Sequence, residues 1–228
     1  MSATNEAKAL EHSQFRSAAP VQQRSSLRLY LVSKRALDIV ASLFGLLLCM
    51  PLFIVLAVLI KIEDPKGPVL FSQSRIGKNG KQFNMYKFRS MVSNAEELLE
   101  QLLDKNEVSG LMFKMKEDPR VTRVGKLIRK TSMDELPQLF NVLRGEMSLV
   151  GPRPPLPREV KEYTARHWKR LEVTPGCTGL WQVSGRNSVG FEEMVELDLK
   201  YIQERTFFYD IKIIFKTVWI LIRPNDAF

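Results

Sequence analysis

The sequence predicts an α/β chain, mostly α with a small β-hairpin, built as a monotopic membrane protein with a re-entrant helix-break-helix and interfacial amphipathic helices. Three observations predict it. Residues 39 to 60 (IVASLFGLLLCMPLFIVLAVLI) form an apolar run of about membrane-spanning length, broken near its middle by Pro51. Two alternating stretches flank Asn79-Gly80, a strong hairpin signal. Leucine-rich stripes at helical spacing recur further along the chain.

The apolar run comes first because it fixes the organisation. Lys34 and Arg35 stand before it, and Lys61 and Lys66 follow. A straight span carries its basic residues mainly on the cytoplasmic side, because retained Lys and Arg set orientation. Here both ends are basic, and a proline sits where a helix would have to bend. That combination favours a segment that dips into one leaflet and returns, with the rest of the chain on one face of the membrane. A signal anchor kinked by proline is the alternative reading of the same residues. The expected division is a disordered polar tail at 1–28, a re-entrant membrane segment at 29–62, and a cytoplasmic domain at 63–228 ending in an interfacial helix. The run begins too late and is too long for a cleavable signal, and it lacks a small-residue cleavage site.

Composition fits a membrane-attached globular domain. The chain has 228 residues and a formal charge of +9. The first 35 residues hold six cations (Lys8, Arg16, Arg24, Arg28, Lys34, Arg35) against Glu6 and Glu11, so most of the excess belongs to the folded part. Such a balance suits an anionic leaflet, a phosphorylated substrate or nucleic acid. The two cysteines are Cys49, inside the apolar run, and Cys177, so a disulfide framework is not indicated. Two histidines, His12 and His167, leave no Cys/His metal site.

Beyond the run, EDPKGP (63–68) is turn chemistry that ends the membrane segment. VLFSQSRIG and KQFNMYKFRSM read as strands on either side of KNG. Ser93 and Glu96 have capping-box spacing, and Leu98, Leu99, Leu102 and Leu103 give the next helix an apolar stripe. Residues 106 to 118 read as loop. A basic stretch follows (Arg120, Arg123, Lys126, Arg129, Lys130), and then TSMDELPQLFNVLRG. There Leu136, Leu139, Phe140 and Leu143 lie at helical spacing, with Gly145 as the stop. GPRPPLP (151–157) is an extended loop. Residues 158–171 and 191–205 read as helices, 175–187 as loop. FFYDIKIIFKTVWILI (207–222), interrupted by Asp210, Lys212 and Lys216, reads as an interfacial helix.

Asp134-Glu135 is the best candidate for chemistry. Asp134 is placed to cap the following helix with Pro137 in its first turn; equally, Ser132 is placed to cap with Glu135 as its box partner. In either register two carboxylates lie at a helix N-terminus, where they satisfy the dipole and where free N–H groups also attract phosphate. Arg129 and Lys130 lie one turn upstream, Lys87 and Arg89 close the hairpin, and Arg153 sits in the proline loop. Adjacent carboxylates among so many cations mark a place for a diphosphate and a divalent metal, since Mg²⁺ takes one or two carboxylates plus phosphate oxygens. Carboxylates also act as covalent nucleophiles. Phe83, Tyr86 and Phe88 in a basic hairpin are open to base stacking, yet in an alternating strand they are core and cross-strand packing, and no nucleic-acid motif accompanies them. Trp181 and Trp219 fit either interface anchors or core.

These segments together carry a resemblance. KRALDIV and the Pro-broken run, GPVLFSQSRIGKNGKQFNMYKFRSM, RKTSMDELPQLFNVLRGEMSLVGPRP and PGCTGLWQVSGRN resemble the bacterial sugar transferase family, the monotopic phosphoglycosyl transferases that prime glycan assembly on polyprenyl phosphate. The similarity runs from about residue 30 to the C-terminus in consistent order. It implies transfer of a sugar 1-phosphate from a UDP-sugar to undecaprenyl phosphate, with release of UMP and a requirement for Mg²⁺. It also implies contact with inner-leaflet lipids at the bacterial inner (cytoplasmic) membrane, with the catalytic domain on the cytoplasmic face. By motif match Asp134 is the nucleophile that becomes a phosphosugar ester, and Glu135 its dyad partner in catalysis and metal binding. Lys87, Arg89, Arg129, Arg153 and Gln138 fall in the substrate-binding surroundings, and Pro51 is the membrane break.

Two departures stand out. Many relatives have Ser before the helix-breaking proline, where this chain has Met50, so no hydroxyl is at hand to rebond the backbone. Larger relatives carry several N-terminal spans and a further soluble domain, whereas this chain resembles the minimal catalytic form. Direct single-step transfer with Asp134 as metal ligand, and a non-catalytic scaffold with a lipid-binding basic face, are the rival readings. The sugar, the pathway and the choice between monomer and homo-oligomer are not legible in these residues.

Overall fold

One helix, α1 (Val21–Glu63), carries the whole apolar run, and it is the one helix among the described residues long and apolar enough to cross a membrane. The computed structural model describes residues 21–105, 115, 117–185 and 189–222. The polar tail to residue 20 and nearly all of the expected 106–118 loop lie outside them. The helix starts earlier than the expected end of the tail at 28, because Gln, Arg and Leu there are good helix formers that extend a helix already nucleated. Helical structure also continues through Pro51 without dividing into two elements.

The other described elements are short and follow in sequence order: β1 (Leu70–Ile76), β2 (Gln82–Phe88), α2 (Ala95–Leu99), α3 (Arg123–Lys130), α4 (Gln138–Arg144), β3 (Ser148–Val150), α5 (Pro157–Lys161), α6 (Ala165–Trp168), β4 (Gly176–Thr178), α7 (Leu180–Ser184), α8 (Phe191–Glu204) and α9 (Phe207–Ile222). The expected hairpin is present: β1 and β2 pair antiparallel from Leu70↔Phe88 to Ile76↔Gln82. Asn79 and Gly80 take the left-handed conformation that the turn needs, with φ of 57° and 75°.

Four local expectations change. The Ser93 cap is replaced by Asn94, because the Ser93 N–H is taken by the Asp64 carboxylate at 3.1 Å. The 158–171 helix is broken into α5, α6 and a 3₁₀ turn (Lys169–Glu172), restarted at Thr164, whose hydroxyl accepts from His167 N. The 175–187 stretch, read as loop, contains β4 and α7. Strand β3, unrecognised in the sequence, pairs parallel with β4 through Ser148↔Gly176 and Val150↔Thr178. That pairing needs Gly151 and Gly176 without side chains, since a Cβ on Gly176 would collide with the Gly151 backbone.

Both arms of α1 are clasped by this one domain. On the N-terminal arm, Arg35 donates to the Val142 and Leu143 carbonyls at 2.6 and 2.7 Å. Asp38 accepts from Ser148 Oγ and Leu149 N at 3.0 and 2.9 Å. Lys34 reaches the Val150 carbonyl and buried Asp210 of α9. On the C-terminal arm, Leu56 and Ile60 join Phe88 and Ile128 in a buried cluster, and Phe53 meets Phe88 edge-to-face at 5.1 Å. Glu63 then accepts from Arg123 N and Val124 N, closing the start of α3. Between the arms the apolar surface stays uncovered: Phe44, Leu47, Leu48, Met50, Ile54 and Val55 are exposed. The outer face of α9 is likewise apolar, with Phe208, Phe215, Trp219 and Ile222 exposed. These two faces are compatible with membrane association.

A second anchor lies under the proline loop. Arg170 and Asp198, each 1% exposed, bond through Nη2 and Nε at 2.8 and 2.9 Å. Replacing Asp198 by Ala strands a buried guanidinium, and the expected loss is about 3–5 kcal/mol in denaturant unfolding. The double change Arg170→Met with Asp198→Leu should recover most of that loss; a double variant as unstable as the single would show that the pair's charge is not the source.

Candidate active site

The acidic pair sits where β2, α3 and α4 converge. Met133–Glu135 forms a 3₁₀ turn entered through Ser132 in the left-handed conformation (φ 55°), and Pro137 leads into α4. Neither expected cap forms: Ser132 makes no side-chain cap, and Pro137, not Asp134, holds the N-cap position of α4. The tight turn therefore leaves both carboxylates to other partners.

Their environments differ. Glu135 is bound by Lys87 Nζ at 2.7 Å, half in solvent. Asp134 is 8% exposed, and among the described residues no ion pair engages it. Burial pushes its carboxyl up to about 6; Lys87 and Arg129 oppose the rise, and Glu135 adds to it. At neutral pH Asp134 is thus ionised yet more basic than an exposed aspartate, a suitable state for an attacking oxygen. Arg129 is fixed by its Nε donating to Ser90 Oγ at 2.8 Å, and burial lowers its pKa against the pull of Asp134.

The structure brings Asp134, Glu135, Lys87 and Arg129 together, and places Gln138, 3% exposed, one turn further on. Arg89 is turned elsewhere: buried, it bonds the Asp64 carboxylate and carbonyl and ties β2 to the exit of α1. Arg153 pairs with Glu159 at 3.2 Å in the proline loop. Sequence reading missed Arg75, which lies in the field of both Arg153 and Glu135. Its signal was position: in a strand, Arg75 and Lys87 point to the same face when the register is known.

Metal chemistry is limited by the donor set. Among the described residues there is no group of three or more His, Cys, Asp or Glu able to hold an ion. The dyad offers two carboxylates, the number a Mg²⁺ takes when phosphate oxygens and water supply the remainder, so these residues fit a cation that arrives with a phosphorylated substrate.

Comparison with known proteins gives the family. The sequence model described as "Bacterial sugar transferase" matches residues 29–224. The chain is 50% identical over 199 residues to the galactosyl transferase CpsE of Streptococcus agalactiae serotype III, covering 87% of this chain and 44% of that one. It is 46% identical over 199 residues to the undecaprenyl-phosphate galactose phosphotransferase of Salmonella typhimurium, covering 86% and 41%. With the exopolysaccharide production protein ExoY of Rhizobium meliloti it shares 44% identity over 191 residues, covering 82% and 84%. The chain therefore spans less than half the length of the first two relatives and most of the third. By the extent of the family match and the 44% identity along most of ExoY, this chain belongs to the bacterial sugar transferase family.

Proposed function

We propose that the chain transfers a sugar 1-phosphate from a UDP-sugar to undecaprenyl phosphate, releasing UMP, as a membrane step of exopolysaccharide, capsule or related glycan synthesis. The observation that carries this reading is the division within the acidic pair: Glu135 is held by Lys87, while buried Asp134 has no ion-pair partner among the described residues and keeps its carboxylate available. The names of the relatives, undecaprenyl-phosphate galactose and glucose phosphotransferases among them, support the lipid acceptor and a sugar phosphate as the transferred group.

The chemistry balances without a general base. An Asp134 oxygen attacks the sugar-bearing phosphorus, the bond from that phosphorus to the bridging oxygen breaks, and UMP leaves as an anion. An oxygen of undecaprenyl phosphate then attacks the same phosphorus and returns Asp134 as carboxylate. Both nucleophiles are already anions, so the protein's task is to position them and to offset charge. Lys87 and Arg129 provide fixed positive charge beside the dyad, and Lys87 also orients Glu135. Mg²⁺, when bound by Asp134 and Glu135, supplies further neutralisation of the diphosphate.

The membrane arrangement belongs to the same reading. The α1 run is immersed as a re-entrant segment bent at Pro51, with both basic flanks and the catalytic domain on the cytoplasmic face of the inner membrane. Clasping of both arms of α1 by one domain supports it, because each arm ends on the same body. Inner-leaflet lipids then surround α1 and α9, and the lipid substrate's headgroup meets the dyad at the interface.

Three outcomes test these points. Asp134→Asn should cut transfer by about a thousandfold or more with folding and membrane association intact; activity within about tenfold of wild type would remove the covalent role. A quenched donor-only reaction should carry a sugar-phosphate adduct on Asp134 by mass spectrometry, and EDTA should stop its formation. Sequential kinetics with no adduct would favour direct transfer instead. Cysteines placed as Pro20→Cys and Leu70→Cys, in a background without Cys49 and Cys177, should be equally protected from an impermeant thiol reagent in intact cells. Opposite labelling would establish a straight span.

A further inference from the structure

We propose that Arg75 binds the departing nucleotide phosphate of the donor, an assignment that rests on the transfer proposed above and locates the nucleotide end of its site. The hairpin register sets the geometry. Phe71 pairs with Lys87 and Arg75 with Phe83, and directly paired residues share a face, so Arg75 and Lys87 project from the same side of the sheet. Four residues separate Phe71 from Arg75, about 13 Å at roughly 3.3 Å per residue. Lys87 marks the end of this face at the dyad; Arg75 marks the other end, beside the proline loop.

Arg75 is a buried cation without a counter-ion. Its side chain is 7% exposed, and among the described residues no carboxylate lies within ion-pair distance. Its partners are neutral oxygens: Gln73 Oε1 accepts from Nε at 3.1 Å and Nη2 at 2.5 Å, and the Pro154 carbonyl accepts from Nη1 at 2.9 Å. Buried guanidinium groups are as a rule paired with an anion, because the desolvation cost is otherwise uncompensated. The nearby carboxylates are committed, Glu159 to Arg153 and Glu135 to Lys87. Burial and the like charge of Arg153 bring the Arg75 pKa down to about 10, the direction an anion set among these cations would reverse.

The remaining donors suit phosphate. A guanidinium has five N–H groups, and Gln73 and Pro154 take three, so two stay available for a planar two-point contact. Those same bonds hold the plane of the group, and Ile76 N donating to the Pro155 carbonyl at 2.9 Å fixes the loop beside it. Binding energy here is realised on the leaving nucleotide, not on the reacting phosphorus.

The test uses the full chain in lipid nanodiscs and reads UMP binding by calorimetry together with donor kinetics. Arg75→Met should weaken UMP binding about tenfold or more and lower donor kcat/KM by at least a similar factor. Arg75→Lys should recover part of the loss, which a merely structural role would not give. Should the Met variant fail to fold, Arg75→Gln, which keeps a donor for Pro154 and loses the charge, reads the same quantity. UMP affinity within about twofold of wild type in the neutral variant, or equal losses in the Lys and neutral variants, overturns the assignment. Wild-type protein that binds UMP yet releases none from UDP-sugars defeats the transfer reading instead, and the binding data still decide the role of Arg75.

Discussion

Arg35 bonding the last carbonyls of α4 is the contact on which the site's placement depends. It joins the apolar helix α1 to the helix that begins next to the dyad, and it does so with a cation at a helix C-terminus, where the backbone dipole is negative. Each such charged hydrogen bond contributes about 1.5–3 kcal/mol. Lys34 and Asp38, one residue before and one turn after it, add the Val150 carbonyl, the Ser148 hydroxyl and the Leu149 N–H, so three polar positions within about one turn of α1 grip α4 and β3. A polar collar of this kind is directional, whereas apolar packing alone would let α1 rotate or slide. The apolar cluster around Phe88 and Ile128 then needs only to fill space on the other arm.

The dyad illustrates how two adjacent carboxylates acquire separate states. Glu135 faces Lys87 in a partly solvated setting, where ionisation is easily kept. Asp134 is pulled into the domain by the 3₁₀ turn, and desolvation rather than a neighbouring anion dominates its shift. Lys87 therefore acts on both: it binds one carboxylate and moderates the other. Removing it would alter the charge state of the pair as well as delete a contact.

Much of this was legible in the chain. Apolar length, the Asn-Gly turn and the acidic pair among cations are local patterns, and each rests on a short-range rule. What escaped depended on distant partners. The cations Arg89 and Arg129 look equivalent as sequence, but Asp64 claims the first and Ser90 orients the second toward Asp134. Ser93 had the spacing of a capping residue, and its N–H went to Asp64 instead. Strands β3 and β4, three residues each, have no period to detect, and their pairing relies on two glycine backbones meeting across the proline loop. Arg75 was hidden for a similar reason: its lack of a counter-ion is a property of burial, which the strand pattern does not reveal.

Pro51 has a consequence for how deeply α1 can lie. Proline offers no N–H, so the carbonyl of Leu47, four residues back, loses its regular helical donor. At mid-bilayer that oxygen would be an uncompensated dipole costing several kcal/mol, and Met50 brings no hydroxyl to quench it. Near the glycerol region, water molecules reach it and the penalty largely vanishes. In the re-entrant arrangement proposed above, that single oxygen acts as a float, setting the level at which α1 rests and, through Arg35, the height of the acidic pair above the acyl chains.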